Sequence, residues 1–324
     1  MRHTIYTPTF NRIGTLPRLY ESIKNQTSTD FIWLIIDDGS TDGTQDLVKQ
    51  WEAEGRIAIK YIYKPNGGKH TAMEMAYAIA NTKYIVGVDS DDTLLPNAMQ
   101  LFENAWNEIE SLKLEDQIAQ VKLFTKYENG DMVGSGNYKL PDTITYVDAS
   151  WHEFVLKQIC YRELIDSTNL SKMQECVNID KYQWHKSELR FIGESIFWAS
   201  IGRKYKTRMI NAFGRIYYTD SLDSILRREK TKQDYVNNMV NNMYFVDENI
   251  EYFLLDPNFF TTLIVKYLIS GFIVKESPVE QFKIITKIFF KFLYVLFFLP
   301  SLLYYFILKC FHKQYYLGEI KSVT

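Results

Sequence analysis

The sequence predicts an α/β domain built on a parallel sheet with helices on both faces, followed by a helical and then strongly apolar extension. Three observations carry that expectation. Short runs rich in Ile, Val and aromatics alternate with helical patterns over the first 110 or so residues. Each run ends in a polar, charged or glycine-bearing loop. Much of the aromatic content, 23 Tyr and 21 Phe, lies late in the chain.

Taken in order, His3–Thr7 reads as the first buried strand. It follows the start directly, without the charged-then-apolar leader of a secretory signal. Leu16–Asn25 reads as a helix, Phe31–Ile36 as a strand, Thr44–Glu54 as a helix and Ile57–Ile62 as a strand. Thr71–Ala80, with its alanines and methionines, is a helix, and Tyr84–Val88 the fourth strand. Strand, helix, strand at this spacing implies crossovers and hence parallel neighbours. A further helix surrounds Pro96–Ile109. Asn129-Gly130 between Val121–Tyr127 and Met132–Val133 signals a hairpin. Gly193–Tyr205 reads as a helix with Glu194 near its start, and 226–283 as helical behind a charged opening, Arg227-Arg228-Glu229-Lys230.

The tail is different. Phe292–Leu308 is a seventeen-residue run without formal charge, flanked by Lys287, Lys291, Lys309, His312 and Lys313. As a straight helix it reaches about 25 Å against a hydrocarbon core of roughly 30 Å. Pro300 at its middle is expected to kink or break it. Such a segment suits a membrane interface or a shallow re-entrant hairpin; the plainer alternative is a helix packed in the core or in a homo-oligomer interface. The expected division is 1–225 for the α/β domain (halves 1–110 and 111–225), 226–283 for a helical extension and 284–324 for a membrane-associating tail.

Composition excludes some classes. A net charge of -2 offers nothing global to attract nucleic acid. Cys160, Cys176 and Cys310 are widely spaced and form no CxxC pair, so they read as buried thiols in a reducing compartment rather than a disulfide frame or zinc site.

The chemistry gathers at the loops. In a parallel sheet, ligands bind beyond the C-terminal strand ends. Four successive loops open there: Thr7-Pro8-Thr9-Phe10-Asn11-Arg12, Asp37 to Thr44, Lys64 to His70, and Asp89-Ser90-Asp91-Asp92. Three carboxylates at one strand end repel one another unless a hard cation such as Mg²⁺ or Mn²⁺ compensates them, although a solvated acidic turn is also consistent. Gly39 permits a tight turn beside Asp38, whose carboxylate can accept from a base or ribose hydroxyl; Thr41 or Asp42 can cap the next helix. Gly67 and Gly68 leave backbone amides that, with Lys69 or His70, can face a pyrophosphate. Tyr63 stands where a Walker loop needs glycine, so an NTPase reading fails.

In their order and spacing, Thr7–Arg12, Asp37–Thr44, Asn66–Thr71 and Asp89–Pro96 resemble the family 2 glycosyltransferases. That resemblance implies the GT-A fold, a mixed, mostly parallel sheet flanked by helices. It also implies inverting, metal-dependent transfer of a hexosyl or related sugar from a nucleotide-diphosphate donor, with Mn or Mg as cofactor. On the family pattern Thr7, Pro8, Thr9, Asn11 and Arg12 line the nucleotide, Asp38 contacts the base, and Gly67, Gly68 and Lys69 approach the phosphates. Asp89 and Ser90 lie toward the ribose or metal, and Asp91, with Asp89, holds the metal. Many members place a Glu-Asp pair at a later helix start; here Glu194 is the candidate base, with Ser195 where the aspartate would stand. A helix start favours negative charge there. Trp184, His185 and Trp198 are candidates to stack on an acceptor sugar, and Arg227, Arg228 and Lys230 to hold a diphosphate. The resemblance points to surface polysaccharide or glycoconjugate synthesis on a glycan or lipid-linked acceptor, at the cytoplasmic face of a membrane. A nucleotidyltransferase would need glycines right after the first strand, and none precedes Gly14. A non-catalytic binding protein of the same fold is the other alternative.

Overall fold

The computed structural model describes residues 1–133, 145–150, 164–177, 192–220 and 230–311, together with Thr143, Glu153 and Leu189. It divides into two compact units, Met1–Asn178 with Phe197–Ser224, and Ile179–Ile196 with Ile225–Thr324.

The first unit runs β1 (His3–Thr9), α1 (Leu16–Lys24), β2 (Phe31–Asp37), α2 (Thr44–Glu54), β3 (Ile59–Tyr63), α3 (Lys69–Ile79), β4 (Tyr84–Gly87), β5 (Thr93–Leu94), α4 (Ala98–Ser111), β6 (Ile118–Tyr127), β7 (Tyr146–Ala149), β8 (Ile165–Asn169), α5 (Leu170–Cys176) and β9 (Lys206–Tyr217). The strands form one sheet in the order β3-β2-β1-β4-β8-β6-β9-β5, with β7 on β9. The β3-β2-β1-β4 half is parallel, as crossover helices require. β8 then joins antiparallel to both β4 and β6, and β6 pairs parallel with β9. The sheet is therefore mixed, as the GT-A expectation has it. Every residue of β1 is buried, and β2 is nearly so, which is why β2 reads as an apolar run up to Asp37. Tyr20 and Trp51 stack at 4.3 Å over Trp33, and Tyr84 stacks on Trp106 at 4.1 Å.

Strand order reverses between β1 and β4, and there the sheet opens. β4 pairs with β1 only over His3–Tyr6, whereas β2 follows β1 to Thr9. The last bond on the β4 side runs from Val88 N to Tyr6 O. Two residues on, by strand alternation, Pro8 would turn its missing N–H to that same side, so the ladder ends where the crevice begins.

The Asn129-Gly130 turn forms, and among the described residues it closes an isolated bridge between Lys126 and Met132. The antiparallel β8 and the long β9 were not legible beforehand.

In the second unit, α7 (Lys232–Asn249), a short 3₁₀ turn (Ile250–Tyr252), α8 (Pro257–Val274), α9 (Pro278–Ile284) and α10 (Ile288–Phe311) follow one another. Thr231 and Asp234 form a reciprocal capping box at the start of α7, and Asp256 caps α8 through Phe259 N. Gly271 gives α9 room to lay Gln281, fully buried, against α8. Asp247 on α7 accepts from Thr286 N (2.8 Å), Thr286 Oγ1 (2.5 Å) and Lys287 N (3.0 Å), fixing the entry to α10. α10 runs through Pro300, against the expectation of a break; the proline is exposed and removes one ladder bond, while Phe290, Leu293, Tyr294 and Ser301 stay buried on the other face. By length and composition Pro257–Val274 and Ile288–Lys309 could each cross a membrane, with mean hydropathies of 1.4 and 1.8. α6 (Glu194–Gly202) straddles the division between the units.

Candidate active site

The four loops foreseen at the strand ends are tied to one another side chain by side chain. Asn11 takes a left-handed conformation, φ 51°, and clasps the second loop: its N–H donates to Ser40 Oγ (2.8 Å) and its Oδ1 accepts from Thr41 N (2.8 Å). Asp42 accepts from Ile13 N, Thr44 N and Thr44 Oγ1, so it both starts α2 and holds the first loop. Asp37 is fully buried and accepts from Ser40 N (2.7 Å) and Tyr61 Oη (2.6 Å). Burial, and then that carboxylate, push the Tyr61 phenol far above its usual range. Gly39 has φ 91° and sits where an added Cβ would meet Asn66 N at 3.0 Å, so no other residue fits this crossing of the loops.

Asp38 is the hub. It is 4% exposed. Its Oδ1 accepts from Lys64 Nζ and from Gly67 N (2.9 Å), its Oδ2 from Gly68 N (2.7 Å), and its carbonyl from Asn66 Nδ2 (2.9 Å). This corrects one expectation: the Gly67 and Gly68 amides are turned onto the Asp38 carboxylate rather than into open space for a pyrophosphate. Thr7 is a second correction. It is fully buried, and its hydroxyl accepts from Trp33 Nε1 at 2.9 Å, so its side chain faces the core. Pro8 and Thr9 are buried at the strand end, whereas Asn11 is exposed and Arg12 half-buried.

From the glycines the chain continues to Lys69, which pairs with Asp89 Oδ1 at 2.6 Å. Asp38, Lys64, Gly67, Gly68, Lys69 and Asp89 thus form one continuous set of contacts linking the ends of β2, β3 and β4. Burial works against the charge on Asp89, but Lys69, Arg215 and Arg12 outweigh it and hold its carboxyl below the usual range. Asp91 goes the other way: burial first, then the Asp89 charge, raise it despite Arg12. Asp92 is fully buried against Arg215 at 3.2 Å, and burial raises it to about 7 against the pull of that guanidinium, with Asp89 and Asp91 adding to the rise. Two of the three carboxylates therefore have protein cations, which the sequence argument for an obligatory metal did not foresee. No group of three or more His, Cys, Asp or Glu poised around one point exists among the described residues. The arrangement still fits a hard cation of the kind that keeps one or two protein carboxylates and takes its remaining ligands from phosphate and water. Asp89 and Asp91 are close enough to repel, and Asp91 carries the cost.

Arg18 braces this loop. It donates to the Asp91 carbonyl (2.6 Å), pairs with Asp220 (2.9 Å), and lies 3.4 Å above the Tyr218 ring. Sequence reasoning missed Arg18 and Arg215, which lie on a helix and on a late strand where no turn chemistry marks them, and gave Lys64 no role beyond its place in the third loop.

Glu194 opens α6, where Gly193 N donates to Asn241 Oδ1 at 2.7 Å. The Ser195 side chain, and Trp184, His185, Arg227 and Arg228, lie outside the described residues. Trp198 is half-buried with the Lys122 ammonium 5.1 Å over its ring, and Lys230 is exposed with its ammonium 6.0 Å over the Tyr235 ring. Cys176 is a free, half-buried thiol raised by burial; the side chains of Cys160 and Cys310 lie outside the described residues.

The model of the family described as glycosyl transferase family 2 matches residues 4–112. Over 98 residues, 30% of this chain, the sequence is 34% identical to an uncharacterized glycosyltransferase of Rickettsia bellii (strain RML369-C), covering 14% of that protein. Over 99 residues, again 30% of the chain, it is 38% identical to a chondroitin synthase of Pasteurella multocida (strain Pm70), covering 10% of that protein. The chain thus matches only a small part of these relatives' length. Among solved structures, S. aureus TarS 1-349 in complex with UDP-GlcNAc aligns with 94% of this chain and 80% of its own, at 14% identity and a TM-score of 0.53. The mannosyltransferase PcManGT from Pyrobaculum calidifontis, in complex with GDP-Man and Mn²⁺, aligns with 96% of this chain and 88% of its own, at 13% identity and a TM-score of 0.51. At such identities the likeness is one of fold, and the fold is that of GT-A glycosyltransferases.

Proposed function

We propose that this chain transfers a sugar, with inversion, from a nucleotide-diphosphate donor to a glycan or lipid-linked acceptor in surface polysaccharide or glycoconjugate synthesis. The observation that carries the reading is the unbroken run of contacts from Asp38 through Gly67, Gly68 and Lys69 to Asp89, beside the free-standing Asp91. It gathers side chains of alternating charge at the point where β1 and β4 part. There Pro8, Thr9, Asn11 and Arg12 line the nucleoside side. Lys69 and Arg12 supply positive charge to the diphosphate, with Ser90 and Asp89 toward the ribose. Asp38 shapes the floor by holding the Lys64–Gly68 loop.

Asp91 and Asp89 would hold Mg²⁺ or Mn²⁺. When bound, that ion neutralises the negative charge growing on the departing diphosphate. The acceptor hydroxyl oxygen attacks the anomeric carbon, the new C–O bond forms as the bond to the diphosphate oxygen breaks, and the electron pair leaves with the nucleoside diphosphate. Glu194 takes the hydroxyl proton. The two long apolar C-terminal helices support a reaction at a membrane surface, read here as the cytoplasmic face.

The test is a panel of UDP-, GDP- and dTDP-sugars scored for metal-dependent donor hydrolysis. Asp91→Asn is expected to lower turnover about 100-fold or more with melting unchanged. Full activity in excess EDTA would remove the metal role, and formation of a sugar nucleotide from a nucleoside triphosphate would move the protein to the nucleotidyltransferases. Binding without turnover by the unaltered chain would make it a binding protein.

A further inference from the structure

We infer that the helical unit docks on an anionic bilayer through one face of α10, with the helix lying flat in the interface. The inference deepens the membrane part of the proposed function and rests on it.

α10 is 24 residues long and has two unlike faces. One is packed: Phe290 is fully buried, Leu293 and Tyr294 are 4% exposed and Ser301 is 2% exposed. The other is bare. Ile288, Phe292, Val295, Leu299, Leu303 and Phe306 are 50–86% exposed. Their steps of four, three, four, four and three residues keep all six within a sector of about 80°, at roughly 100° per residue. No Asp or Glu occurs anywhere in the helix. Lys291 and Lys309 are eighteen residues apart, about five turns, and so share one flank of the stripe. An apolar sector edged by lysines, without a carboxylate, complements an anionic headgroup layer over acyl chains.

The neighbours decide the orientation. Tyr267 on α8 meets Phe290 and Tyr294, each at 6.0 Å, and five residues later Phe272 meets Phe298 at 5.5 Å and Tyr305 at 5.8 Å. The two helices therefore run in the same sense, and α9 must return between them. The exposed Lys275 and the half-buried Glu276 follow α8 three and four residues past Phe272, level with the later part of α10's apolar run, and α9 carries the Glu280–Lys283 ion pair. Were α10 to stand across the bilayer, its packed partner and the returning segment would bring those charges into hydrocarbon. Laid flat, α10 buries its stripe and leaves them in water. The Asp247 bonds to Thr286 and Lys287 make its entry a fixed part of the unit rather than a loose tail.

The experiment floats the full chain on vesicles of phosphatidylcholine alone or with phosphatidylglycerol, and no turnover is read, so its outcome is independent of the sugar-transfer chemistry. The chain is expected to float with the anionic vesicles and to be released by alkaline carbonate. Leu299→Asp with Leu303→Asp should abolish flotation while melting is unchanged. Lys291→Gln with Lys309→Gln should weaken partitioning roughly 25-fold, about fivefold per lysine. Single cysteines at Phe292→Cys, Leu299→Cys and Phe306→Cys, in a chain without its native thiols, should report the same shallow depth by nitroxide accessibility. A depth maximum at Leu299→Cys with carbonate resistance would show a spanning helix and overturn the proposal. So would flotation indifferent to the aspartate pair, or a stripe covered by a second copy, seen as a dimer that the aspartate pair dissociates without lipid.

Discussion

Lys64→Met should destabilise the first unit by about 2–3 kcal/mol, because it strands the Asp38 carboxylate. The two side chains are 12% and 5% exposed, so water screens their ion pair poorly. Asp38 keeps the amides of Gly67 and Gly68 at 2.9 and 2.7 Å, which is why the cost is less than the 3–5 kcal/mol of a buried charge left wholly unpaired. What is lost is one charge-assisted hydrogen bond and part of the charge compensation, about 2 kcal/mol or a little more. Asp38→Asn removes the charge and sets an amide N–H₂ against at least one backbone N–H, for roughly 3 kcal/mol. If the two residues act on each other, the double variant should cost less than the sum by about 2 kcal/mol. Urea unfolding of the four proteins, followed by tryptophan fluorescence, measures this cycle, and nucleoside diphosphate affinity should fall in step as the Lys64–Gly68 loop loosens. A Lys64→Met cost below about 0.5 kcal/mol, the level of a surface pair, together with additive variants, would refute the hub role of Asp38.

His3 is 1% exposed and neither ring nitrogen has a hydrogen-bond partner among the described residues; burial, then Arg2, lower it from 6.5 to about 4. The unfolded chain thus takes up this proton first, and stability should drop by up to about 3 kcal/mol as pH falls from about 6.5 to about 4, a slope that His3→Leu should flatten in denaturant titrations. Gly214→Ala would set a methyl 2.5 Å from Leu123 Cδ1 and 3.0 Å from Ile165 Cγ2, and should cost about 1–3 kcal/mol by calorimetry. Glu194→Gln should abolish transfer without changing nucleotide affinity; unchanged turnover would remove it as the base. A chain ending at Ile284 loses the buried Phe290, Leu293 and Tyr294 and should melt about 5 kcal/mol less stable in its second unit, with the first unit's transition unaffected.

The parallel half of the sheet was readable because strands covered on both faces are largely apolar, as Phe31–Ile36 is. β8 was not. Ile165–Asn169 is entirely buried yet mostly polar, since Trp106 Nε1 donates to Ser167 Oγ at 2.9 Å and Thr168 to Asp166 at 2.8 Å. β6 likewise buries Gln120 and Lys122. Where partners come from distant strands, hydrophobic periodicity carries no trace of them. The site divides in the same way. Asp38, Gly39, Asp89 and Asp91 announce themselves by turn chemistry at strand ends. Arg215 reaches Asp92 from a strand more than a hundred residues later, and Lys64 matters only because the β2 and β3 loops cross.

Pro8 has a consequence for how the crevice behaves without its ligand. A gap between neighbouring strands is ordinarily held by a truce of weak contacts, and an empty one tends to zip shut along its free amides. Here the residue at the fork keeps its carbonyl but has no hydrogen to offer, so closure would gain one ladder bond fewer at that point. The pyrrolidine ring thereby weakens the pull toward closure before any ligand arrives.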